Sequence, residues 1–318
     1  MIEHAFTGVL VPALTPFSRD LAPEADQFVR HCRWLLDQGA DGLGVFGTTG
    51  EANSLSADER MALVDTLVDA GIPPQRLMVG TGTCALTETV RLTAHAVASG
   101  CGGVLMLPPF YYKGVSDDGL YASFAETIER VGDPRLRVYL YHIPPVAEVG
   151  ISLDLVSRLI EAYSQCVVGI KDSSGDWNNT ESLLREFPGF GTFAGSEGFL
   201  LDTLRGGGVG CITATGNVNP SGIRKVYEEW RTPDADRLQA RITEIRKTIQ
   251  AYPMIPALKT IVAAGYQHAG WDRVRPPFIG LGKDRSTSLF SDLKRIGFDM
   301  AQNRRCVENA PSFQAASG

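Results

Sequence analysis

The fold of this chain is decided by one stretch that begins Arg137-Val138-Tyr139-Leu140-Tyr141 and ends Val167-Val168-Gly169-Ile170-Lys171. Between these two apolar runs, residues 152–163 carry apolar side chains at helical spacing. An apolar run, an amphipathic helix and a second apolar run are typical of a strand–helix–strand unit with parallel strands. Because both runs are almost continuously apolar, we expect strands that are buried on both faces.

The same alternation extends in both directions from this unit. Eight units of this kind in about 215 residues predict an α/β fold, the (β/α)8 TIM barrel. An open, doubly wound sheet is the rival, but it needs fewer strands and its usual Gly-x-Gly-x-x-Gly turn is missing after the first strand. The predicted strands are residues 8–14, 41–46, 76–80, 103–107, 137–141, 167–171, 192–194 and 208–213, and the helices are 23–38, 56–70, 85–99, 116–131, 152–163, 178–186 and 198–204.

The alternation of apolar runs and amphipathic helices ends near residue 220. Beyond it, residues 234–251, 256–264 and 286–303 show helical spacing without apolar runs between them. We therefore predict a catalytic barrel over residues 1–220 and a C-terminal helical appendage over residues 221–305. The short polar tail at 306–318 is expected to be disordered.

Composition excludes several classes of function. The chain has 318 residues and a net charge of -6, which argues against a nucleic-acid or anionic-membrane partner. Its apolar stretches are too short to cross a bilayer, and its first residues lack a basic and apolar leader, so we expect a cytoplasmic protein. Five histidines and six cysteines are scattered without ligand spacing, which predicts no metal site.

The strand ends carry the candidate catalytic residues, because active sites of such barrels lie at the carboxyl ends of the strands. Lys171 ends the sixth strand, where an amine can attack a ketone and form a Schiff base. A structural lysine paired with Asp172 or Glu51 is the alternative. Tyr141 and His142 end the fifth strand. The phenol is a candidate proton shuttle or a packing aromatic, and the histidine is a weaker candidate base.

A third motif ends the second strand. In Gly47-Thr48-Thr49-Gly50-Glu51, two glycines flank two hydroxyl side chains. Such a turn can aim backbone N–H groups and hydroxyls at a carboxylate, or it can be merely a tight turn. It is not a phosphate-binding Walker loop, because no Gly-Lys-Ser/Thr follows.

Taken together, these motifs resemble the dihydrodipicolinate synthase / N-acetylneuraminate lyase family of class I, pyruvate-dependent aldolases. The resemblance covers nearly the whole chain, with several motifs in order. They are Gly8-Val9-Leu10-Val11-Pro12-Ala13-Leu14-Thr15-Pro16-Phe17, Gly47-Thr48-Thr49-Gly50-Glu51, Pro108-Pro109-Phe110-Tyr111-Tyr112, Tyr141-His142-Ile143-Pro144, Gly169-Ile170-Lys171-Asp172-Ser173-Ser174-Gly175 and Val274-Arg275-Pro276-Pro277.

The resemblance implies a role for each matching residue. Lys171 would form the imine with pyruvate or another 2-keto acid, and Tyr141 would move protons. Thr48 and Thr49, in the turn that begins at Gly47, would hold the substrate carboxylate. The residues whose backbone would line the pyruvate pocket are Gly195 and Ile212, and the residue that would project across a subunit interface is Tyr112. The family resemblance also implies a homotetramer and no organic cofactor.

Departures from the family pattern bear on the substrate. Lysine-biosynthesis members carry an arginine where this chain has Val146, which cannot bind a carboxylate, and the nearby Glu148 would repel one. Glu197 follows Gly195, near the position where sialic-acid lyases hold sugar hydroxyls with acidic residues.

The sequence therefore predicts a Schiff-base lyase that cleaves a 2-keto-3-deoxy sugar acid or related compound to pyruvate and an aldehyde. Two alternatives share the imine chemistry: a keto-deoxy sugar acid dehydratase, and dihydrodipicolinate synthase itself. A different class is a non-catalytic module that binds a keto acid. The joint presence of Lys171, Tyr141 and Thr48 argues against that module.

Overall fold

The computed structural model describes residues 6–300, and in this range eight parallel strands close into a barrel. Neighbouring strands follow the order of the chain, and the first pairs with the last. This arrangement confirms the predicted (β/α)8 barrel. The strands are β1 (Gly8–Val11), β2 (Gly42–Val45), β3 (Leu77–Gly80), β4 (Gly103–Met106), β5 (Val138–His142), β6 (Val167–Asp172), β7 (Gly191–Ala194) and β8 (Gly210–Ile212).

Helices surround the barrel and extend beyond it. None of those within residues 6–300 is long and apolar enough to cross a membrane. They are α1 (Ala25–Asp37), α2 (Ala57–Asp69), α3 (Leu86–Ala98), α4 (Asp117–Val131), α5 (Pro144–Ala147), α6 (Leu153–Ala162), α7 (Trp177–Glu186), α8 (Leu200–Arg205), α9 (Pro220–Glu229), α10 (Ala235–Gln250), α11 (Met254–Tyr266) and α12 (Lys283–Arg295).

Large side chains fill the barrel interior and fix the register of its strands. The ring of Tyr139 on β5 is fully buried there and packs edge-on against Phe193 of β7. Between them, β6 presents Gly169, where a Cβ atom would lie 2.5 Å from the Tyr139 ring. A glycine is therefore required at this position, because any side chain would displace the tyrosine.

Two predicted elements end at least three residues earlier than expected, each for a local reason. β1 stops at Val11 instead of residue 14 because Pro12 has no N–H to continue the ladder. α12 stops at Arg295 instead of residue 303 because Gly297 adopts a left-handed φ of 63°. The N–H of Phe298 then donates to Leu293 at 2.9 Å, which closes the helix end.

Two helices were not predicted individually. The short α5 follows β5 directly, and α9 packs against β1, α8 and α10 as the outer helix of the eighth unit. The predicted division of the chain at residue 220 coincides with the first residue of α9, and it stays a prediction. The predicted tail at 306–318 lies outside the described residues.

A buried histidine joins the C-terminal helices to the barrel. His31 on α1 is fully buried, and its two ring nitrogens lie 2.8 Å from Tyr266 Oη and 2.9 Å from Asn217 Oδ1. Tyr266 ends α11, and Asn217 follows β8, so one side chain connects three segments. Burial lowers the pKa of His31 to about 4, against the opposing effect of the Asn217 hydrogen bond.

This histidine makes the stability of the protein sensitive to acid. Because the pKa is lower in the folded chain than the ordinary value of about 6.5, the unfolded chain gains a proton first as the pH falls. Stability is therefore lost between pH 6.5 and about 4, by about 1.4 kcal/mol per pH unit at the steepest. We expect His31→Gln to reduce this slope in urea unfolding by the His31 contribution, whereas His95→Gln, at a half-buried histidine of α3 that pairs with Asp65, retains that contribution. Equal slopes in wild type and His31→Gln would contradict the assignment.

Candidate active site

Three predicted side chains meet at the carboxyl end of the barrel. The phenol oxygen of Tyr141 lies 3.3 Å from Nζ of Lys171 and 3.2 Å from Oγ1 of Thr48. The lysine and tyrosine side chains are almost fully buried, with 4% and 3% exposure. The arrangement is an amine, a phenol and a hydroxyl in one hydrogen-bonded row, which can pass protons to and from a reacting molecule.

The strand register explains why the amine and the phenol are neighbours. Tyr141 on β5 pairs directly with Lys171 on β6, so both side chains project on the same side of the sheet. Lys171 in turn pairs with Phe193 on β7, whose ring packs in the barrel interior. The lysine is therefore held at the mouth of the barrel by strands on both sides.

The two carboxylates that could have made Lys171 a structural residue have other partners. Asp172 accepts hydrogen bonds from the Ser174 N–H at 2.9 Å, Asn179 Nδ2 at 3.0 Å and Thr180 Oγ1 at 2.6 Å. Glu51 forms a fully buried ion pair with Lys259 of α11. The geometry thus leaves the Lys171 amine facing Tyr141.

The turn after β2 presents unpaired donors. Within residues 6–300, the N–H groups of Thr48 and Thr49 have no hydrogen-bond partner, and Thr49 is 9% exposed. The carbonyl of Gly47 accepts from Gly50 at 3.1 Å and closes the turn. Gly50 lies so close to strand β1 that a Cβ atom would be 2.8 Å from the Ala13 carbonyl oxygen. Two amides and the Thr49 hydroxyl are therefore available to a carboxylate, whereas the Thr48 hydroxyl contacts Tyr141.

Buried charges hold this turn in place from behind. The carboxylate of Glu51 accepts from the ammonium of Lys259 and from the N–H of Arg275 at 3.0 Å. Arg275 also binds Glu59 at the start of α2, where Ser56 and Glu59 form a capping box. Burial lowers the pKa of Lys259 to about 8, although Glu51 opposes the shift.

A cavity of about 290 Å³ opens above the row of three side chains. Six predicted residues line it: Thr48, Thr49, Tyr141, Val146, Lys171 and Gly195. Gly195 has to be glycine here, because a Cβ atom would lie 2.7 Å from the Asp172 carbonyl oxygen and clash with Ser173. A larger cavity of about 510 Å³ lies between α11 and α12, but it contains none of the predicted residues.

Four other predicted residues lie outside the lining of this cavity. Gly47 shapes the turn, and Ile212 is fully buried in the barrel interior. Tyr112 is 69% exposed and packs against Tyr111. Glu197 is 1% exposed, and its carboxylate is bound by other side chains of the protein, so it has no free oxygen directed at sugar hydroxyls.

The sequence reasoning missed Arg246, which lines the cavity from α10. Its Nη1 donates to Glu197 at 2.8 Å and to Thr213 at 3.2 Å. A signal was present in the helix pattern: Arg246 comes four residues after the buried Ile242 and three before the buried Ile249, which places a charge in the apolar stripe. Ser173, Ser196, Phe199 and Met254 also line the cavity and were missed.

His142 has a structural role. Its Nδ1 accepts from the N–H of Ile151 at 2.9 Å, which fixes the segment after α5. Burial lowers the pKa of His142, and nearby Asp172 opposes the shift. Within residues 6–300, no three histidine, cysteine or acidic side chains are grouped closely enough to hold a metal ion.

Comparison with known proteins identifies the class of this barrel. The sequence model of the Dihydrodipicolinate synthetase family matches residues 5–296, and the chain belongs to that family. It is therefore a barrel enzyme of the class I aldolase and lyase group. A relative described as an uncharacterized DapA-like lyase, from Chloroflexus aurantiacus, is 33% identical over 91% of this chain and 96% of its own. A probable 2-dehydro-3-deoxy-D-pentonate aldolase from Escherichia coli is 30% identical over 80% and 83%.

Solved structures agree with the family assignment. A dihydrodipicolinate synthase from Agrobacterium tumefaciens is similar with a TM-score of 0.86 and 31% identity, covering 92% of this chain and 100% of that one. A prophage protein of the dihydrodipicolinic acid synthase family from Escherichia coli, in complex with pyruvate, has a TM-score of 0.83 and 27% identity. That comparison covers 92% of this chain and 98% of the other.

We expect the buried pair behind the turn to contribute strongly to stability. Lys259→Met would leave the Glu51 carboxylate buried without its cation, at a cost of about 3–5 kcal/mol in the free energy of unfolding. The double variant Glu51→Gln/Lys259→Met removes both charges and should recover part of that loss. Urea unfolding of both variants and the wild type measures the difference. A double variant no more stable than Lys259→Met would contradict a dominant role for the unpaired charge.

Proposed function

We propose that this protein is a Schiff-base lyase that cleaves a 2-keto-3-deoxy sugar acid or related 2-keto acid to pyruvate and an aldehyde. The observation that carries the proposal is the row formed by Lys171, Tyr141 and Thr48 at the mouth of the barrel. Pyruvate bound to a family member of known structure supports a keto acid as the substrate class.

The proposed reaction uses the amine of Lys171 and the phenol of Tyr141. The neutral amine of Lys171 attacks the keto carbon, and loss of water gives a protonated imine. Tyr141 gives its proton to the hydroxyl that leaves the carbinolamine as water. The resulting phenolate then removes the proton from the C4 hydroxyl as the C3–C4 bond breaks, so the aldehyde leaves and the electron pair moves into the iminium. Protonation of the resulting enamine and hydrolysis release pyruvate and regenerate the amine. No metal or organic cofactor takes part in this sequence.

The turn at Thr48 and Thr49 would orient the substrate. Its free N–H groups and the Thr49 hydroxyl would bind the substrate carboxylate, so that the adjacent keto carbon faces Lys171. Gly195 lets the end of β7 lie against Asp172 and Ser173, where the Cβ atom of any other residue would clash. Orientation of this kind converts binding energy into a productive geometry for attack.

The loop after β4 bears on how subunits assemble. Tyr112 and Tyr111 are exposed aromatic side chains on the loop after β4, which suits a tyrosine that crosses a subunit interface. We propose a homotetramer in which this loop reaches a neighbouring subunit.

Borohydride trapping tests the imine directly. We expect incubation with pyruvate followed by reduction to label Lys171 and no other lysine, as mapped by peptide mass spectrometry. Lys171→Ala should abolish labelling, and Lys225→Ala on the exposed face of α9 should leave it intact. If no adduct forms with pyruvate or another small keto acid, the Schiff-base proposal is wrong and keto-acid binding without catalysis takes its place.

Product analysis separates the alternatives within the class. A lyase should release pyruvate from a 2-keto-3-deoxy sugar acid, whereas a dehydratase would remove water and release no pyruvate. A dihydrodipicolinate synthase would consume pyruvate and aspartate semialdehyde with ring formation. We expect pyruvate release, measured with a coupled lactate dehydrogenase assay, and little consumption of aspartate semialdehyde. The reverse pattern would assign the chain to the synthases.

A further inference from the structure

The cavity contains a second cation that the imine mechanism does not use. Besides Lys171, only Arg246 contributes a basic side chain to the described lining, and it comes from α10, outside the barrel. The acidic residue of the lining, Asp172, has its carboxylate engaged by Ser174, Asn179 and Thr180. The electrostatic character of the cavity away from Lys171 therefore depends on Arg246.

Arg246 is held in place before any substrate arrives. Its Nη1 donates to the buried carboxylate of Glu197 at 2.8 Å, and that carboxylate also accepts from the hydroxyls of Thr213 and Thr215. A second contact fixes the helix itself, because Gln239 on α10 donates to the Glu197 carbonyl at 2.8 Å. An arginine fixed by its partners loses little conformational freedom on binding a ligand.

One edge of the guanidinium remains available. Within residues 6–300, Nε and Nη2 of Arg246 have no hydrogen-bond partner, and the side chain is 17% exposed to solvent. These two nitrogens form the side edge of the guanidinium, with parallel N–H groups spaced to match two carboxylate oxygens. A hydroxyl would use only one of them.

We propose that Arg246 binds a carboxylate at the far end of the substrate, so that the enzyme prefers a 2-keto diacid to the corresponding monoacid. The inference rests on the proposed function, which places the first carboxylate at Thr48 and Thr49 and the keto carbon at Lys171. The rest of the lining adds no further cation, because Ile143, Val146 and Phe199 are apolar and Ser173 and Ser196 are neutral. The far end of a long substrate would therefore meet one cation. α10 thus provides the cation that position 146 lacks.

The test uses matched probes that need not be cleaved. Borohydride trapping is measured over a range of concentrations for 2-oxoadipate and 2-oxohexanoate, which differ only in the terminal carboxylate, and for pyruvate as the reference. In the wild type, we expect half-saturation at a concentration about 10-fold or more lower for the diacid than for the monoacid. The pair 2-oxoglutarate and 2-oxopentanoate repeats the measurement at a shorter length.

Variants assign the preference to one side chain. Arg246→Gln should bring the half-saturation concentrations of the diacid and the monoacid within about 2-fold of each other. It removes the positive charge and the paired N–H groups of the guanidinium. Arg246→Lys keeps the charge without the paired N–H groups and should retain part of the preference. Lys247→Gln removes a neighbouring exposed charge from the same helix and should match the wild type.

The outcomes distinguish the two proposals. No trapping with any probe, pyruvate included, would overturn the imine mechanism itself. Trapping of pyruvate together with equal half-saturation for the wild-type diacid and monoacid would overturn only the role of Arg246. The same holds if the preference survives in both Arg246→Gln and Arg246→Lys. Thermal unfolding of each variant shows that the compared proteins are folded.

Discussion

The active site depends on the pairing of two neighbouring strands. Tyr141 and Lys171 are directly opposite in the β5–β6 register, and their side chains share the barrel interior. Because side chains alternate along a strand, a slip of one residue would turn the amine to the outer face, under the helices. The register is fixed by the fit of Tyr139 against Gly169, one layer deeper in the barrel. A packing constraint between two residues deeper in the barrel therefore sets the geometry of the candidate catalytic pair.

The C-terminal helices are part of the site rather than an attachment to it. Lys259 of α11 holds the turn that carries Thr48 and Thr49, through the buried Glu51. Arg246 of α10 reaches the cavity and is fixed by Glu197, which follows β7. Both contacts are ion pairs in which at least one partner is fully or almost fully buried. Such pairs are costly to break on one side only, so they tie the helices to the barrel in one defined position.

The sequence was most informative about strands and strand ends. Lys171 and Tyr141 could be found because they end long apolar runs, and an apolar run of this kind has few other interpretations in a chain with regular alternation. Thr48 and Thr49 followed from the glycines beside them. The resemblance to a family then joined these separate motifs into one site.

Residues that act through tertiary contacts were harder to predict. The expected role of Glu197 on sugar hydroxyls ignored Thr213, Thr215 and Arg246, which occupy its carboxylate and come from distant parts of the chain. Arg246 itself was visible only as a charge within an apolar helical stripe, which is ambiguous without knowing what the stripe faces. The end of α12 was not predicted because it is determined by the left-handed conformation of Gly297. A glycine in the sequence does not by itself show which backbone conformation it adopts.

Arg246 lies on α10, whereas Lys171 and Tyr141 lie on barrel strands, so substitutions at the two places have different structural consequences. The groups proposed to form the imine belong to strands and strand-end turns, where a substitution disturbs the packing of the barrel. Arg246 lines the cavity from a helix outside the barrel, where a change at position 246 leaves the packing of Ile242, Ile245 and Ile249 intact. Because its partner Glu197 is buried, such a change requires a matching change at position 197. If Arg246 has the role proposed above, relatives can diverge in the molecules they accept through exchanges at these two positions, without rebuilding the barrel.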